Sequence, residues 1–205
     1  MATELRRVVF VLLPGIHPGC LMPALSVLLS ANRMAEELCY QIECCTLDEQ
    51  SMRAADGLLL QPSPLEQCAP GFAQLWLVAE HLSASDQLPD WLAPRLQQWQ
   101  SEGVLIGGLE GGVAVLAACG LLDGGQCAVQ WRMVDEFRER FPAFEAATQL
   151  FTREAQVCSS SGGQASTDLL LAIVAQEQGQ DLAALVAEDL VIERVRDGSE
   201  RQRMP

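Results

Sequence analysis

Three short runs of this chain, residues 8–13, 74–79 and 104–106, are apolar almost without interruption, and each leads into a stretch patterned for a helix. A strand that is apolar on both faces needs cover on both sides. A parallel sheet between two helical layers provides that cover, whereas a sheet with one wet face does not. The expected fold is therefore an α/β domain with a mostly parallel, doubly wound sheet and helices on both faces. Further strands are expected at 40–47, at 58–60 and as a pair at 150–153 and 156–158. Helices are expected at 18–34, 89–102, 111–119, 133–141, 162–178 and 181–190. Trp91, Leu92, Leu96 and Trp99 recur at helical spacing and mark a core-facing helix side. No internal repeat is visible. Nothing marks a domain boundary before about residue 193, so 1–192 reads as one domain.

Charge and composition exclude several functions. All 13 basic residues are arginines, which removes a Schiff-base lysine, a pyridoxal phosphate site and a P-loop lysine. The net charge of −14 is wrong for a chain that grips nucleic acid by itself. Residues 193–205 differ, with four arginines against three acids; they read as the start of a linker to a further, DNA-binding domain. No apolar run reaches the roughly 20 residues of a membrane span, and the first residues lack a signal-peptide pattern, so a cytoplasmic protein without membrane contact is expected. The eight cysteines form no C-x-x-C pair and only two histidines are present, so no metal site and no cofactor are expected. The cysteines read as small packed thiols in a reducing compartment.

The most informative stretch is Val104-Leu105-Ile106-Gly107-Gly108-Leu109-Glu110-Gly111-Gly112 with the apolar residues that follow. It reads as strand, sharp turn, helix, and Gly108-x-Glu110-x-Gly112 has the spacing of a nucleophile elbow. Such a turn holds its central side chain at the carboxyl edge of the sheet in strained backbone. Here that side chain is Glu110, and a helix N-terminus beside it favours the ionised carboxylate. Taken alone, the motif equally describes a tight glycine-rich turn with a water-facing acid.

The surroundings of the motif are more specific. Leu12-Leu13-Pro14-Gly15, Ala31-Asn32-Arg33, Gly120-Leu121-Leu122-Asp123-Gly124, the F-R-E-R-F-P segment at 137–142, and Ser161-Gly162-Gly163 with Asp168 occur in that order. Together, over residues 6–203, they resemble the PfpI-like branch of the class I glutamine amidotransferase-like superfamily. More narrowly, they resemble the N-terminal sensor domain of AraC-type transcription regulators. The resemblance implies a flavodoxin-like fold, a homodimer, and DNA contact only through a helix-turn-helix pair outside this chain. In enzymatic relatives the elbow residue is a cysteine assisted by a histidine and an acid. Those positions fall here on Glu110, on Gln130 just before Trp131, and near Cys20. A glutamate without an adjacent base is no acyl-transfer nucleophile, and Gln130 cannot take a proton.

The resulting expectation is a non-catalytic, ligand-sensing and dimerising domain. Its small-molecule site is expected at the elbow, formed by Glu110, Gly111, Gln130, Trp131, Gly15, His17, Cys20 and Ser160. Regulators with an acid at the elbow resemble those that answer to small cationic metabolites. Glu110 would supply the charge, Trp131 an aromatic face, and His17, Gln130 and Ser160 hydrogen bonds. His17 reads equally as a loop histidine, and His81 as a solvated one. Cys119 and Cys127 read as packed thiols. The alternatives are a superfamily enzyme of altered chemistry, a hydrolase or lyase using Glu110 with His17 or a cysteine, and a purely structural dimerisation module.

Overall fold

The computed structural model describes residues 4–47, 52–53, 59–60, 62–68, 70–122 and 125–203. Its strands are β1 (Arg6–Leu12), β2 (Tyr40–Thr46), β3 (Met52–Arg53), β4 (Leu59–Leu60), β5 (Ser63–Pro64), β6 (Gln74–Ala79), β7 (Leu105–Glu110), β8 (Gln126–Ala128), β9 (Glu145–Ala147), β10 (Phe151–Glu154) and β11 (Val157–Ser160). Its α-helices are α1 (Pro18–Met34), α2 (Leu92–Ser101), α3 (Gly112–Ala118), α4 (Val134–Arg140), α5 (Gln164–Gln178) and α6 (Gln180–Asp189). Seven strands form one sheet in the order β10-β11-β7-β6-β1-β2-β5, parallel throughout except for the β10–β11 hairpin at one edge. The doubly wound, flavodoxin-like expectation is borne out, and the three apolar runs are the adjacent central strands β1, β6 and β7.

Alternate residues of β1 feed two different cores. Val8, Phe10 and Leu12 pack with Trp76, Val78 and Leu109 under α1, α5 and α6. Val9, Val11 and Leu13 pack with Leu75, Leu77 and Ile106 under α2 and α3. Trp91 and Trp99 are half-buried against that second core. A third cluster gathers Leu82, Val113, Cys127, Val129 and Phe137 around α4 and the β8–β9 pair. These two three-residue strands have too little apolar alternation to stand out in the sequence.

Two expectations are corrected. The fourth core strand does not end at Ile106 but runs to Glu110, so Gly107 and Gly108 are strand residues and not part of the turn. The reason is packing: a Cβ on Gly107 would run into the Trp76 ring, and one on Gly108 would meet the backbone of Gly112 and Val113 at 2.8–2.9 Å. The second correction concerns the thiols. Six cysteines are free, but Cys45 and Cys68 are disulfide-bonded. The short β2–β5 pairing, with Cys45 opposite Ser63, brings the two segments together. Leu58 of the expected 58–60 strand and Asp123-Gly124 lie outside the described residues.

The turn after β7 is the tightest place in the fold. The Gly111 N–H bonds to the Ala79 carbonyl at 2.9 Å, and Gly112 lies directly on the Leu77 carbonyl of β6. In an ordinary helix, alanine for glycine is favourable by up to about 1 kcal/mol. At Gly112 the sign reverses: Gly112→Ala is expected to cost about 2–3 kcal/mol, because the added methyl meets backbone that cannot move aside. Urea denaturation with linear extrapolation measures this.

Candidate functional site

The carboxyl edge of the sheet opens into a cleft of about 480 Å³. The N-cap and first turn of α1 bring His17, Gly19 and Cys20 to it, the residue after β6 is Glu80, and the end of β7 brings Glu110. Gln130 and Trp131 enter from the turn before α4, and residues 161–165 from the start of α5. Leu150, Arg196, Gln202 and Arg203 complete the lining.

Glu110 has φ 55, one of three non-glycine residues at positive φ among those described. This conformation is costly for a residue with a Cβ, and it is imposed by the run of strand straight into helix. Gly162, at φ +90, sits against its side chain; a Cβ there would lie 2.6 Å from Glu110 Oε2. Two consecutive positive-φ glycines, Gly162 and Gly163, thus let the chain turn around the carboxylate and enter α5.

The helix end was expected to favour ionisation of Glu110, but the balance falls the other way. Burial raises its pKa above the ordinary carboxylate value, and Glu80 adds to the rise. The Cys20 thiol hydrogen bond and His81 and His17 oppose it without cancelling it. The Gly111 N–H, which might have served the carboxylate, is already bonded to Ala79. Cys20 is buried, and its pKa is driven up by burial first, then by the charge of Glu110 and their shared hydrogen bond. The thiol therefore donates to the acid and does not ionise beside it. Cys119 and Cys127 are also buried, their thiols pushed up to about 11 and about 12 by burial, as packed thiols should be.

Five of the eight expected residues meet at the cleft: Glu110, Gln130, Trp131, His17 and Cys20. Three do not line it. Gly15 is an exposed turn glycine at φ +78. Gly111 faces the His81 backbone. Ser160 is fully buried, 3.0 Å from Ser166 Oγ and accepting from the Gly162 N–H, so it shapes the turn from beneath. His17 has a double role: its Nδ1 caps α1 by accepting from Gly19 N at 3.0 Å, and the ring borders the cleft. His81 is largely exposed and is not among the lining residues. Gln130 accepts from Arg132 N, and the Arg132 guanidinium lies 5.1 Å from the Trp131 ring centre, so one face of that ring already has a cation.

Sequence reasoning missed Glu80, Arg196, Gln202 and Arg203. Glu80 directly follows the core strand β6, so the rule that loops after parallel strands converge on the site reaches it. The other three come from the folded-back tail, which left no local pattern. Among the described residues, Glu43, Cys45 and Cys68 could bring ligand atoms within 4.8 Å of one another for a metal, but the disulfide uses both sulfurs.

No family model matches the chain. It is 37% identical over its whole length to the HTH-type transcriptional regulator ArgR of Pseudomonas aeruginosa, covering 61% of that protein. It is 34% identical over 95% of its length to the HTH-type transcriptional regulator CdhR of the same organism, covering 57%. The chain thus spans little more than half the length of these curated relatives. In structure it is similar to an AraC family transcriptional regulator from Pseudomonas putida, with TM-score 0.77 and 24% identity over 90% of this chain and 99% of that one. It is similarly close to Drosophila melanogaster DJ-1beta, with TM-score 0.78 and 18% identity over 93% and 100%. The chain has the fold of these solved structures and is similar in sequence to part of HTH-type transcriptional regulators. The elbow carries the carboxylate of Glu110, and among the described residues no helix is long and apolar enough to cross a membrane.

The Cys20 thiol should be inert where Glu110 sits beside it. With iodoacetamide at pH 8, Cys20 of the folded chain is expected to stay unmodified by peptide mass mapping. Glu110→Gln, which removes the charge that is the second cause of its raised pKa, should speed the reaction several-fold. Rapid alkylation of Cys20 in the unaltered chain would contradict this.

Proposed function

We propose that this domain is the non-catalytic, ligand-sensing and dimerising part of a cytoplasmic transcription regulator, with a small cationic metabolite bound at Glu110. The observation that carries the reading is the elbow itself: a carboxylate at φ 55, half-buried and bordering a cleft. A carboxylate whose burial favours protonation gains most from a ligand that restores a positive charge beside it, because attraction in a partly desolvated cleft exceeds that in water. Glu80 adds a second acid to the same wall. Arg203 brings the opposite charge to the same cleft and suits a ligand that also bears an acidic group. DNA contact belongs, in this reading, to a further domain, since the chain itself carries a net charge of −14.

One observation favours the enzymatic alternative: the raised pKa of Glu110 suits an acid or base. Against it, the His17 Nδ1 is held by the α1 cap, and the Cys20 thiol donates a hydrogen bond to Glu110 and stays protonated. The homodimer is supported by α1, which leaves Met22 and Leu29 exposed and Leu25 half-buried along one side.

Calorimetric titration with a panel of small amines and acids tests the ligand. An amine should bind, and Glu110→Gln should weaken it by about tenfold or more, the value of a hydrogen bond to a charged group. Binding of anions alone, or amine binding indifferent to Glu110→Gln, sinks the proposal. Sedimentation tests the assembly: a dimer is expected at micromolar concentration, and Met22→Arg with Leu29→Arg should leave a monomer. A monomeric unaltered chain would remove the dimerisation claim.

A further inference from the structure

The tail does not hang free. Residues 193–203 lie back across the domain, and their contacts converge on the segments that line the elbow cleft. The Arg196 guanidinium grips Asp168 Oδ2 through Nε at 2.8 Å and Nη2 at 2.6 Å, while its backbone N–H bonds Oδ1 at 3.0 Å. Asp168 is fully buried on α5, about one turn beyond the residues that wrap Glu110. The Gln202 side chain spends all its main capacity on the opposite wall. It donates to the carbonyls of Val129 at 2.8 Å and Gln149 at 3.0 Å, and accepts from Trp131 N–H at 2.8 Å. The Leu150 N–H meets the carbonyls of Gly198 and Glu200, and Gln202 N–H meets that of Thr148. Arg194 forks onto Glu200 at 2.8 Å through both terminal nitrogens and holds the segment's own bend.

We propose that residues 193–203 are a latch, seated by Asp168–Arg196 and Gln202, whose seating is coupled to occupancy of the elbow cleft. The latch supplies Arg196, Gln202 and Arg203 to the lining, and it is hydrogen-bonded to Trp131 and Leu150, which line the cleft too. A molecule filling the cleft therefore meets either the latch or the groups that hold it. Its apolar anchorage is slight, since Val195 remains exposed, so a few polar contacts decide whether it is seated. Coupling of this kind is reciprocal: what the cleft does to the latch, the latch does to the cleft. The proposal rests on the reading of the cleft as the effector site. It gives that site an output, because the segment that reports occupancy is the one expected to lead toward the DNA-binding units.

A covalent probe tests this without the natural ligand. In the 205-residue chain, Glu110→Cys with Cys20→Ser is treated with aminoethyl methanethiosulfonate. The introduced thiol displaces methanesulfinate and leaves an ammonium-bearing group in the cleft, with mass spectrometry confirming completion. Amide hydrogen exchange at Leu150 and Gln202 should then change by about fivefold or more, and Gln202→Ala in the same background should release those amides and change the labelling rate by a similar factor. Arg196→Lys, which keeps the charge but loses the fork, provides a second latch variant if Gln202→Ala folds poorly. Complete labelling with exchange unchanged overturns the coupling, as does a released latch with an unchanged labelling rate. Amides still protected in both latch variants overturn the seating contacts. Because the probe is attached by a bond, these outcomes are separate from failure of any amine to bind in calorimetry.

Discussion

The fold turns on one backbone contact. Where β7 passes into α3, Gly112 lies on the Leu77 carbonyl of β6, and the Gly111 N–H is bonded to Ala79 at the end of the same strand. No side chain fits between them. The contact docks α3 against the central strands, and the last residue of β7, Glu110, takes positive φ at the carboxyl edge. Loops from β1 and β6 end on that same edge, so the close packing at this turn and the cleft lined by Glu110 lie together.

What the turn presents decides the chemistry. The turn presents Glu110 and the first turn of α1 presents Cys20. The hydrogen bond between them then stabilises the thiol as a donor, and the acid becomes the group whose charge is at issue. Two effects compete at Glu110. Removal from water disfavours the anion, with Glu80 adding to the effect, and the Cys20 hydrogen bond, His81 and His17 favour it without cancelling the rise. A carboxylate left short of partners in a cleft is a receptor for positive charge, which is the physical content of the sensing proposal.

Much of this was legible in the residues. The continuous apolar runs identified β1, β6 and β7 because two-sided burial leaves no polar alternation. The elbow frame placed Glu110, the loop after the first strand placed His17, and the family resemblance placed Cys20, Gln130 and Trp131 on the same edge. The misses share a cause: they depend on contacts between distant segments. Gly107 reads as a turn residue until the Trp76 ring is seen to need its space. Ser160 reads as a lining hydroxyl until the backbone of Gly162 is seen to cover it. Arg196 and Gln202 read as linker because nothing local announces that Asp168 and the Val129 carbonyl will receive them. The Cys45–Cys68 bond likewise depends on an edge pairing of two residues.

The central claim is that burial, and not the helix end, governs the elbow carboxylate. A carbon-13 titration of the glutamate side-chain carboxyls of the unliganded chain, with the Glu110 signal assigned by its loss in Glu110→Gln, measures this directly. The account predicts a midpoint above the ordinary glutamate value, near 4.5. A midpoint at or below that value would contradict it, and would return Glu110 to the role of a helix-terminal acid satisfied within the fold.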